Sequence, residues 1–386
     1  MAWIWIYNLT GGGRHPQLGT KEQMHLVLGS YDGGLIGLQV AGADGGLASR
    51  RRFAYNPHCS CVKAMASFGH TLVTTGTDER VLVYDLKRRA EFGTLLQHEG
   101  TVTCAEIYGG THLLTGSDDK SIVVWRTKDW VSLSTLRGHK DKLTALAIHP
   151  SGKLTLASDA SGTLYLWNLT TAKCVFRHRT PESSVLRWSP DGQAYASANR
   201  TKVDVSTTGA EKLCTIEPKL KQRVYDMAWV DDNILMTGGE DRQVSAWDIR
   251  AASSGETGVT TLSDAAKQSG LMPSRIKGVK VFESGGAKYC AVASAQGLME
   301  VHDLRNFGGE PVLTYDTRSR LTCMEAVADF EGEHEQEEAE DDGSAEMPMQ
   351  KVSSAAASTE DGEDLSEEEE EEEKGGGEAK RKRRKR

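Results

Sequence analysis

The sequence predicts an all-β fold, a seven-bladed β-propeller that is closed by strands from both ends of the chain. Three observations lead to this fold class. A β-favouring segment recurs seven times, a strand–turn–strand pattern follows most of its copies, and incomplete units stand at the two ends. A period of about 40–45 residues that holds several short strands is typical of propeller blades.

The first repeated segment is short and places an apolar residue at its second position. We call this residue the strand marker. Successive markers are 40, 41, 42, 39, 52 and 45 residues apart, and seven markers predict seven blades. The markers are Val62, Val102, Leu143, Val185, Val224, Ile276 and Leu321.

The second pattern is a strand, a tight turn with Asp and an alternating strand. Its fullest copy runs from Thr115 to Trp125, and matching copies run from Thr237 to Asp248 and, with Tyr84 in place of Trp, from Thr74 to Asp85. Asp and Gly favour the tight turn, and the alternation gives each strand a packed face. Together with a His four residues before the marker, this pattern indicates WD repeats.

In a WD repeat the His, the turn Asp, a Ser or Thr and the Trp form one hydrogen-bonded set within a blade. The unit that begins at His139 has Ser161 at the position of the turn Asp, so its set is expected to be incomplete. The predicted structural residues are His98, Thr115, Asp119 and Trp125; His58, Thr74, Asp78 and Tyr84; His139 and Trp167; and Asp241 and Trp247.

These residue types also occur in catalytic sites, but an active site occurs once, whereas this spacing recurs along the chain. The sequence has no G-x-x-x-x-G-K-[ST], no H-E-x-x-H and no G-x-S-x-G motif. Its seven cysteines lack the spacing of a zinc site or a disulfide framework. We therefore expect no catalytic residue, no cofactor and no metal.

The two ends of the chain are expected to complete one blade. Residues 24–40 would supply two of its strands and residues 311–328 the other two, which removes the exposed edges of an open array. The propeller is thus predicted over residues 24–329. Residues 1–23 are expected to form a flexible extension, and the repeat pattern leaves open whether Met24 is the natural start.

Two blades depart from the pattern. The fifth unit, counted with the N-terminal segment as the first, lies around 197–205 and has neither the Trp nor the turn Asp. The spacing of 52 predicts a loop of about 11 extra residues within 251–273, which is either a surface insertion or a partner-binding loop.

The segment 330–386 is predicted to be a disordered tail. Residues 331–386 hold 21 acidic and 9 basic side chains, whereas residues 1–330 hold 34 acidic and 37 basic ones. A segment of this composition cannot bury enough apolar surface to fold. Ser366 precedes an acidic run and is a candidate phosphosite. The chain ends in a block typical of nuclear or nucleolar targeting through an import receptor, formed by Lys380, Arg381, Lys382, Arg383, Arg384, Lys385 and Arg386.

Four blades place a base directly before the marker, at Lys142, Arg223, Arg275 and Arg320. The first strand of a blade lines the central channel, so these bases are expected at its mouth. They would suit RNA phosphates or an acidic peptide, although charges at strand starts are also common as plain solvated residues. No apolar run approaches the roughly 18 residues that span a bilayer, so no membrane partner is expected.

Five stretches follow one another in a characteristic order and spacing: 98–104, 148–154, 166–169, 188–192 and 320–323. Through them, residues 24–329 resemble the PAK-interacting WD-repeat proteins, nucleolar factors of large-ribosomal-subunit assembly. The resemblance implies a role in pre-ribosome assembly and ribosomal-RNA maturation, with pre-ribosomal proteins and pre-rRNA as partners, and action as a monomer within a larger complex. In animal members it also implies negative regulation of a PAK-type kinase.

Two functions therefore compete. The first is a non-enzymatic scaffold in nucleolar ribosome assembly. The second is a substrate receptor of a cullin-type ubiquitin ligase, because Trp247-Asp-Ile-Arg250 and His302-Asp-Leu-Arg305 resemble the paired W-D-x-R motif of such receptors. The second copy lacks the Trp.

Overall fold

The computed structural model describes residues 24–43, 46–218, 222–252, 260–262 and 267–328. These residues form seven sheets of four or five strands and two short 3-10 turns, at Ile249–Ala252 and Leu304–Asn306, with no α-helix among them. The predicted all-β propeller with seven blades is confirmed. The predicted extension 1–23, Ser366 and the terminal basic block lie outside the described residues.

The strands are numbered along the chain, and the first eleven form the outer part of the closing blade and two complete blades. They are β1 (Met24–Ser30), β2 (Leu35–Ala43) and β3 (Gly46–Tyr55); β4 (Val62–Phe68), β5 (Thr71–Gly76), β6 (Val81–Asp85) and β7 (Ala90–Leu95) of blade 1; and β8 (Val102–Tyr108), β9 (His112–Ser117), β10 (Ser121–Arg126) and β11 (Val131–Arg137) of blade 2.

The next two blades follow the same meander. They consist of β12 (Leu143–Ile148), β13 (Leu154–Asp159), β14 (Thr163–Asn168) and β15 (Lys173–Arg179) in blade 3, and of β16 (Val185–Trp188), β17 (Ala194–Asn199), β18 (Lys202–Thr207) and β19 (Lys212–Ile216) in blade 4.

The remaining strands build blades 5 and 6, the fifth strand of blade 4 and the inner strand of blade 7. They are β20 (Val224–Trp229), β21 (Ile234–Gly239), β22 (Val244–Asp248), β23 (Thr260–Leu262) and β24 (Lys267–Gln268); β25 (Ile276–Ser284), β26 (Ala287–Ser294), β27 (Leu298–Asp303) and β28 (Leu313–Asp316); and β29 (Leu321–Ala328).

The closing blade corrects the predicted division between the chain ends. Its order is β29-β1-β2-β3, so the C-terminal segment supplies one strand and the N-terminal segment three. Leu313–Asp316, predicted to belong to the closing blade, is instead the outer strand of blade 6. β29 pairs antiparallel with β1 from Met24 opposite Ala328 to Ser30 opposite Leu321. The C-terminal segment therefore supplies the innermost strand alone, whereas the sequence predicted two strands from each end.

The first strands of the seven blades contact one another in sequence around the ring, and β29 contacts β4 to close it. The hydrophobic core lies between blades. One cluster joins Val73 and Val83 of blade 1 to Val102 and Leu113 of blade 2, all at most 1% exposed. Each blade thus buries its apolar faces against its neighbours, because a single four-stranded sheet cannot do so alone.

The marker of blade 4 is also corrected. The Thr144 hydroxyl donates to the carbonyl of Ser183 (2.7 Å), as that of Thr103 donates to the carbonyl of the marker Leu143 (2.9 Å). Ser183 therefore occupies the marker position that the sequence assigned to Val185. An apolar pattern does not reveal this position, because serine is polar. The Ser183 side chain is nevertheless buried, and its hydroxyl donates a hydrogen bond to Asn199.

The long connection within 251–273 serves two blades. Its segment β23 pairs in parallel with β19 and adds a fifth strand to the outer edge of blade 4. Its segment β24 then pairs with β22 and supplies the outer strand of blade 5. The extra residues thus cover a strand edge that would otherwise face solvent.

Blade 2 contains a complete hydrogen-bonded WD set. Trp125 Nε1–H donates to Thr115 Oγ1 (2.9 Å), and the Thr115 hydroxyl can then donate to His98 Nε2 (2.8 Å). This order leaves His98 Nδ1–H to donate to Asp119 Oδ2 (2.7 Å). Burial opposes ionisation of Asp119, but hydrogen bonds from Ser121 and His98 lower its pKa.

Blade 1 repeats this arrangement. His58 contacts Thr74 through Nε2 (2.8 Å) and Asp78 through Nδ1 (3.0 Å). Tyr84, 2% exposed, stands in place of the Trp and packs edge-on against Tyr55. Both sets tie the entry of the first strand to the turn between the second and third strands.

Blade 3 forms a modified set. Trp167 Nε1–H donates to His139 Nε2 (3.2 Å), and Asp159, two residues before Ser161, has its Oδ2 3.8 Å from His139 Nδ1. An Asp at the end of the second strand thus stands where the sequence predicted a gap. Burial lowers the pKa of His139 to about 4, so this imidazole is neutral at pH 7.

Blade 5 retains only part of the set. Trp247 Nε1–H donates to Thr237 Oγ1 (2.9 Å), but the residue at the His position is Leu220, outside the described residues. Asp241 accepts from the Gln243 backbone at 3.5 Å, and burial raises its pKa. Asp241 and Asp119 therefore occupy the same turn position in their blades, but the pKa of Asp241 is raised and that of Asp119 is lowered.

We expect a chain that ends at residue 329 to fold and a chain that ends at Arg320 not to fold. The shorter chain loses β29, whose Leu321, Met324 and Val327 are at most 3% exposed. Each such side chain contributes about 1.5–3 kcal/mol, and three approach the roughly 5–15 kcal/mol that stabilises a typical domain. Thermal unfolding followed by circular dichroism tests this. A cooperative transition in the chain that ends at Arg320 would contradict the assigned closure.

We expect Asp119→Asn to lower the free energy of unfolding by about 1–3 kcal/mol, because it weakens hydrogen bonds to a buried His. The matched variant Asp241→Asn should change it by less than about 0.5 kcal/mol, since ionisation of Asp241 is already disfavoured. Chemical denaturation at pH 7 measures both. Equal losses in the two variants would show that the turn geometry, rather than the His–Asp pair, carries the stability.

Candidate nucleic-acid interface at the channel mouth

The residue after each strand marker forms a common position in the ring. Register shifts place it in a β-bulge of β4, β8, β12, β20, β25 and β29. A bulge re-aims one side chain out of the regular alternation. We call this position the rim position, because its side chains meet the first strand of the next blade at the end where each first strand begins.

Four blades carry a hydroxyl at the rim position, and each hydroxyl links two blades. Thr103, Thr144 and Thr322 donate to the marker carbonyls of the following blades at 2.9, 2.7 and 2.7 Å, and Ser184 does so at 3.4 Å. A hydrogen bond of this kind contributes about 1 kcal/mol. The rim hydroxyls therefore fasten adjacent first strands to one another.

Three blades depart from this pattern. Blades 1, 5 and 6 carry Lys63, Tyr225 and Lys277 at the rim position. Lys277 Nζ lies 3.8 Å from the centroid of the Tyr225 ring, in cation–π contact across the boundary between two blades. The propeller thus replaces three hydroxyls by two cations and one aromatic ring.

The predicted bases before the markers join this group in three of four cases. The guanidinium carbons of Arg223 and Arg275 lie 5.6 and 5.9 Å from the Tyr225 centroid. That of Arg320 lies 4.7 Å from the centroid of Tyr31, which is 52% exposed and sits in the β1–β2 turn. The basic cluster, defined as Lys63, Arg223, Arg275, Lys277 and Arg320, spans the consecutive blades 5, 6, 7 and 1.

Lys142 does not belong to the cluster. It is exposed in blade 3, and blade 4 separates it from Arg223. The sequence placed Lys142 with the arginines because it precedes a marker, but its own rim neighbour is Thr144, an inter-blade hydrogen-bond donor.

The cations of the cluster act on one another. Burial, followed by the charges of Arg275, Arg223 and Lys63, lowers the pKa of Lys277 to about 8. Within the described residues, no carboxylate forms an ion pair with Lys277. Glu240 is the carboxylate that touches the group, and it accepts from the Tyr225 hydroxyl at 2.9 Å and from the Arg223 backbone at 3.3 Å. The cluster therefore keeps a net positive charge.

Further along the first strands the channel charges are balanced. Arg187 pairs with Asp226 (3.3 Å), and Lys280 pairs with Glu325 (2.7 Å). Glu106 accepts from the backbone of Ile148 in the next blade, and burial raises its pKa. These groups compensate one another within the wall. The excess positive charge is thus confined to the mouth.

The sequence alone missed Lys63, Lys277 and both tyrosines of this site. The rim residues could have been found in the sequence, since each directly follows a marker. The recurring hydroxyl was not recognised because the marker of blade 4 was assigned to Val185 instead of Ser183. A row of Thr and Ser interrupted by Lys, Tyr and Lys becomes visible only when Ser183 is aligned with the other markers. The arrangement can bind a multivalent anion and offers one half-exposed aromatic ring beside it.

Among the residues described, no cluster of three or more His, Cys, Asp or Glu side chains could hold a metal ion. No helix in the same part of the chain is long and apolar enough to cross a membrane.

Comparison with known proteins agrees with this architecture. Residues 90–126, 130–168 and 211–248 match the family model described as WD domain, G-beta repeat. The chain is 31% identical over 312 residues to a p21-activated protein kinase-interacting protein 1-like protein of Gallus gallus, covering 78% of this chain and 79% of that protein. A Danio rerio protein of the same name is 31% identical over 78% of this chain and 80% of its own length.

A more distant relative is the Protein MAK11 of Saccharomyces cerevisiae, which is 25% identical over 80% of this chain and 84% of its own length. The similarity to the vertebrate proteins covers more than three quarters of both chains. With the WD repeats and the seven-bladed closure, it shows that the chain belongs to the family of p21-activated protein kinase-interacting protein 1-like WD-repeat proteins.

Proposed function

We propose that the protein is a non-enzymatic scaffold in nucleolar ribosome biogenesis, where it assists assembly of the large-subunit pre-ribosome and maturation of ribosomal RNA. Its membership of the family described above and the similarity to MAK11 support this role. The basic cluster at the channel mouth is the structural observation that carries the proposal, because ribosome precursors are dense polyanions.

The polar networks of the blades support a scaffold rather than an enzyme. The His–Asp pairs of blades 1 and 2 are joined to a buried Thr within their own blade, and Asp119 also holds the backbone of Glu99 and Ser121. These contacts fix strand entries and turns. The channel charges likewise pair with one another.

The partners we propose are pre-ribosomal assembly proteins and pre-rRNA at the channel mouth, and a nuclear import receptor at the terminal basic block. Contact with a PAK-type kinase is a further proposal, supported by the names of the vertebrate relatives. The protein would act as a monomer within a larger complex.

One observation supports the alternative function as a receptor of a cullin-type ubiquitin ligase. Arg250 and Arg305 stand in matching 3-10 turns after the third strands of blades 5 and 6, and each forms a 2.7 Å ion pair with the Asp two residues earlier. These exposed pairs sit on the propeller face opposite to the basic cluster. They fit a local structural role in each turn and also resemble the paired motif of cullin receptors.

We expect simultaneous change of Arg223, Arg275 and Arg320 to Glu to reduce recovery of pre-ribosomal particles with the tagged protein by about tenfold at moderate salt, because several phosphate contacts are lost. The melting temperature should change little, since all three side chains are exposed. Quantitative affinity purification of tagged variants followed by mass spectrometry measures this.

The matched control changes Lys87, Arg88 and Arg89 to Glu in the exposed β6–β7 turn, on the opposite face of the propeller. It should leave particle association intact. Equal recovery of particles with both triple variants would eliminate the basic cluster as the contact surface. Recovery of a cullin adaptor in place of assembly factors would favour the ligase receptor.

The terminal basic block is tested separately. Removal of residues 379–386 should reduce nucleolar accumulation without changing thermal unfolding of the propeller, since the block lies outside residues 24–329. Neutralising Glu367–Glu373 should instead increase nonspecific RNA retention, because the acidic run competes for the block. Imaging and RNA filter binding measure the two effects. Normal nucleolar signal without residues 379–386 would refute the targeting role.

A further inference from the structure

We propose that the channel mouth is a binding site for unpaired RNA, in which Lys63 and Lys277 hold backbone phosphates and Tyr31 stacks on a base. The inference rests on the proposed function and deepens it by assigning the ligand class and the residues that recognise it. Three observations lead to this site.

The first observation is that three rim positions lack the hydroxyl that stabilises the other four blade boundaries. Four rim positions carry hydroxyls that link neighbouring blades, while Lys63, Tyr225 and Lys277 occupy the same bulge in the other three blades. A Thr at these positions would supply the donor that the ring uses elsewhere. Departures from a fold's own local pattern are expected at functional sites.

The second observation is the imbalance of charge. Lys277 is half-buried, is surrounded by Arg223, Arg275 and Lys63, and contacts the Tyr225 ring rather than a carboxylate. A partly buried cation without an anionic partner is costly. An external anion placed between these side chains would remove that cost, whereas the nearby pair Lys280–Glu325 already has its counter-charge.

The third observation selects RNA over an acidic peptide. Tyr31 is half-exposed at the same mouth, and the Arg320 guanidinium lies over its ring. Proteins that bind single strands combine a basic groove with aromatic and Arg surfaces on which bases stack. A poly-acidic peptide has no planar group for Tyr31. The pairing of the basic cluster with an exposed ring therefore fits a nucleotide chain.

The test compares two double variants of the full chain that remove the same charge. Lys63→Thr/Lys277→Thr changes the mouth, and Lys87→Thr/Lys128→Thr changes exposed turns on the opposite face. The probe is a fluorescein-labelled 20-nucleotide oligouridine, measured by anisotropy across a salt series. The tail is the same in both variants, so its contribution to binding cancels.

We expect the mouth variant to bind oligouridine about tenfold more weakly, with a salt slope reduced by roughly 1.4 for two lost phosphate contacts, and the opposite-face variant to change less than about twofold. The mouth variant should melt at the same or a higher temperature, because Thr restores the inter-blade donor. This outcome separates lost binding from lost folding. Equal affinities of the two variants would overturn the inference.

Tyr31→Ala distinguishes the ligand classes. It should weaken oligouridine binding about fivefold or more through lost stacking, and leave binding of a fluorescein-labelled decaglutamate peptide unchanged. A decaglutamate peptide that binds the mouth more tightly than oligouridine, with no effect of Tyr31→Ala on RNA, would overturn the RNA assignment.

The same variants separate this inference from the function on which it rests. Recovery of pre-ribosomal particles is measured alongside RNA affinity. Lost particle association with unchanged RNA affinity in the mouth variant would overturn the RNA site and leave the scaffold function standing. Lost RNA affinity with full particle association would support the RNA site and contradict its use in the proposed assembly role.

Discussion

The pairing of β29 with β1 is the interaction on which the rest of the structure depends. It joins residues about 300 positions apart, from His25 opposite Val327 to Gly29 opposite Cys323. Without it the first strands of blades 6 and 1 would face solvent, and neither inter-blade core nor rim hydrogen bond could form there. Thr322 shows the coupling directly, because its hydroxyl donates to Val62 in blade 1 only when β29 is the innermost strand. Closure thus creates both the fold and the circular mouth.

Closure also explains how the positions around the mouth differ. Where Thr or Ser occupies the rim position, hydrogen bonds link the first strands from blade to blade, as between Thr103 and Leu143. Where Lys63, Tyr225 and Lys277 occupy the rim position, positive charge and an aromatic side chain lie together on one side of the propeller. The remaining hydroxyls and the inter-blade cores hold the geometry, so those three positions are available for binding.

Much of the fold could be predicted from the sequence. Spacing and turn chemistry predicted seven blades, and they predicted the set around His98 because its four residues are read within one repeat. The strand partition of the closing blade could not be predicted in this way, because a repeat pattern has no fixed starting point along the chain. Asp159 was missed for a related reason: the Asp that faces His139 stands at a strand end instead of in the turn. The candidate site was only half visible, since Arg275 can be located from the marker alone, whereas the contact of Lys277 with Tyr225 depends on two neighbouring strands.

The mouth formed by blades 5, 6, 7 and 1 is expected to face RNA in the assembled particle. Ultraviolet cross-linking of native pre-ribosomal particles, followed by mass spectrometry of the cross-linked peptides, tests this central claim most directly. We predict RNA adducts on peptides that contain Tyr31, beside Arg320, and Tyr225, beside Lys277. Adducts confined to the opposite face around Lys87–Arg89, or to the tail beyond residue 329, would contradict it.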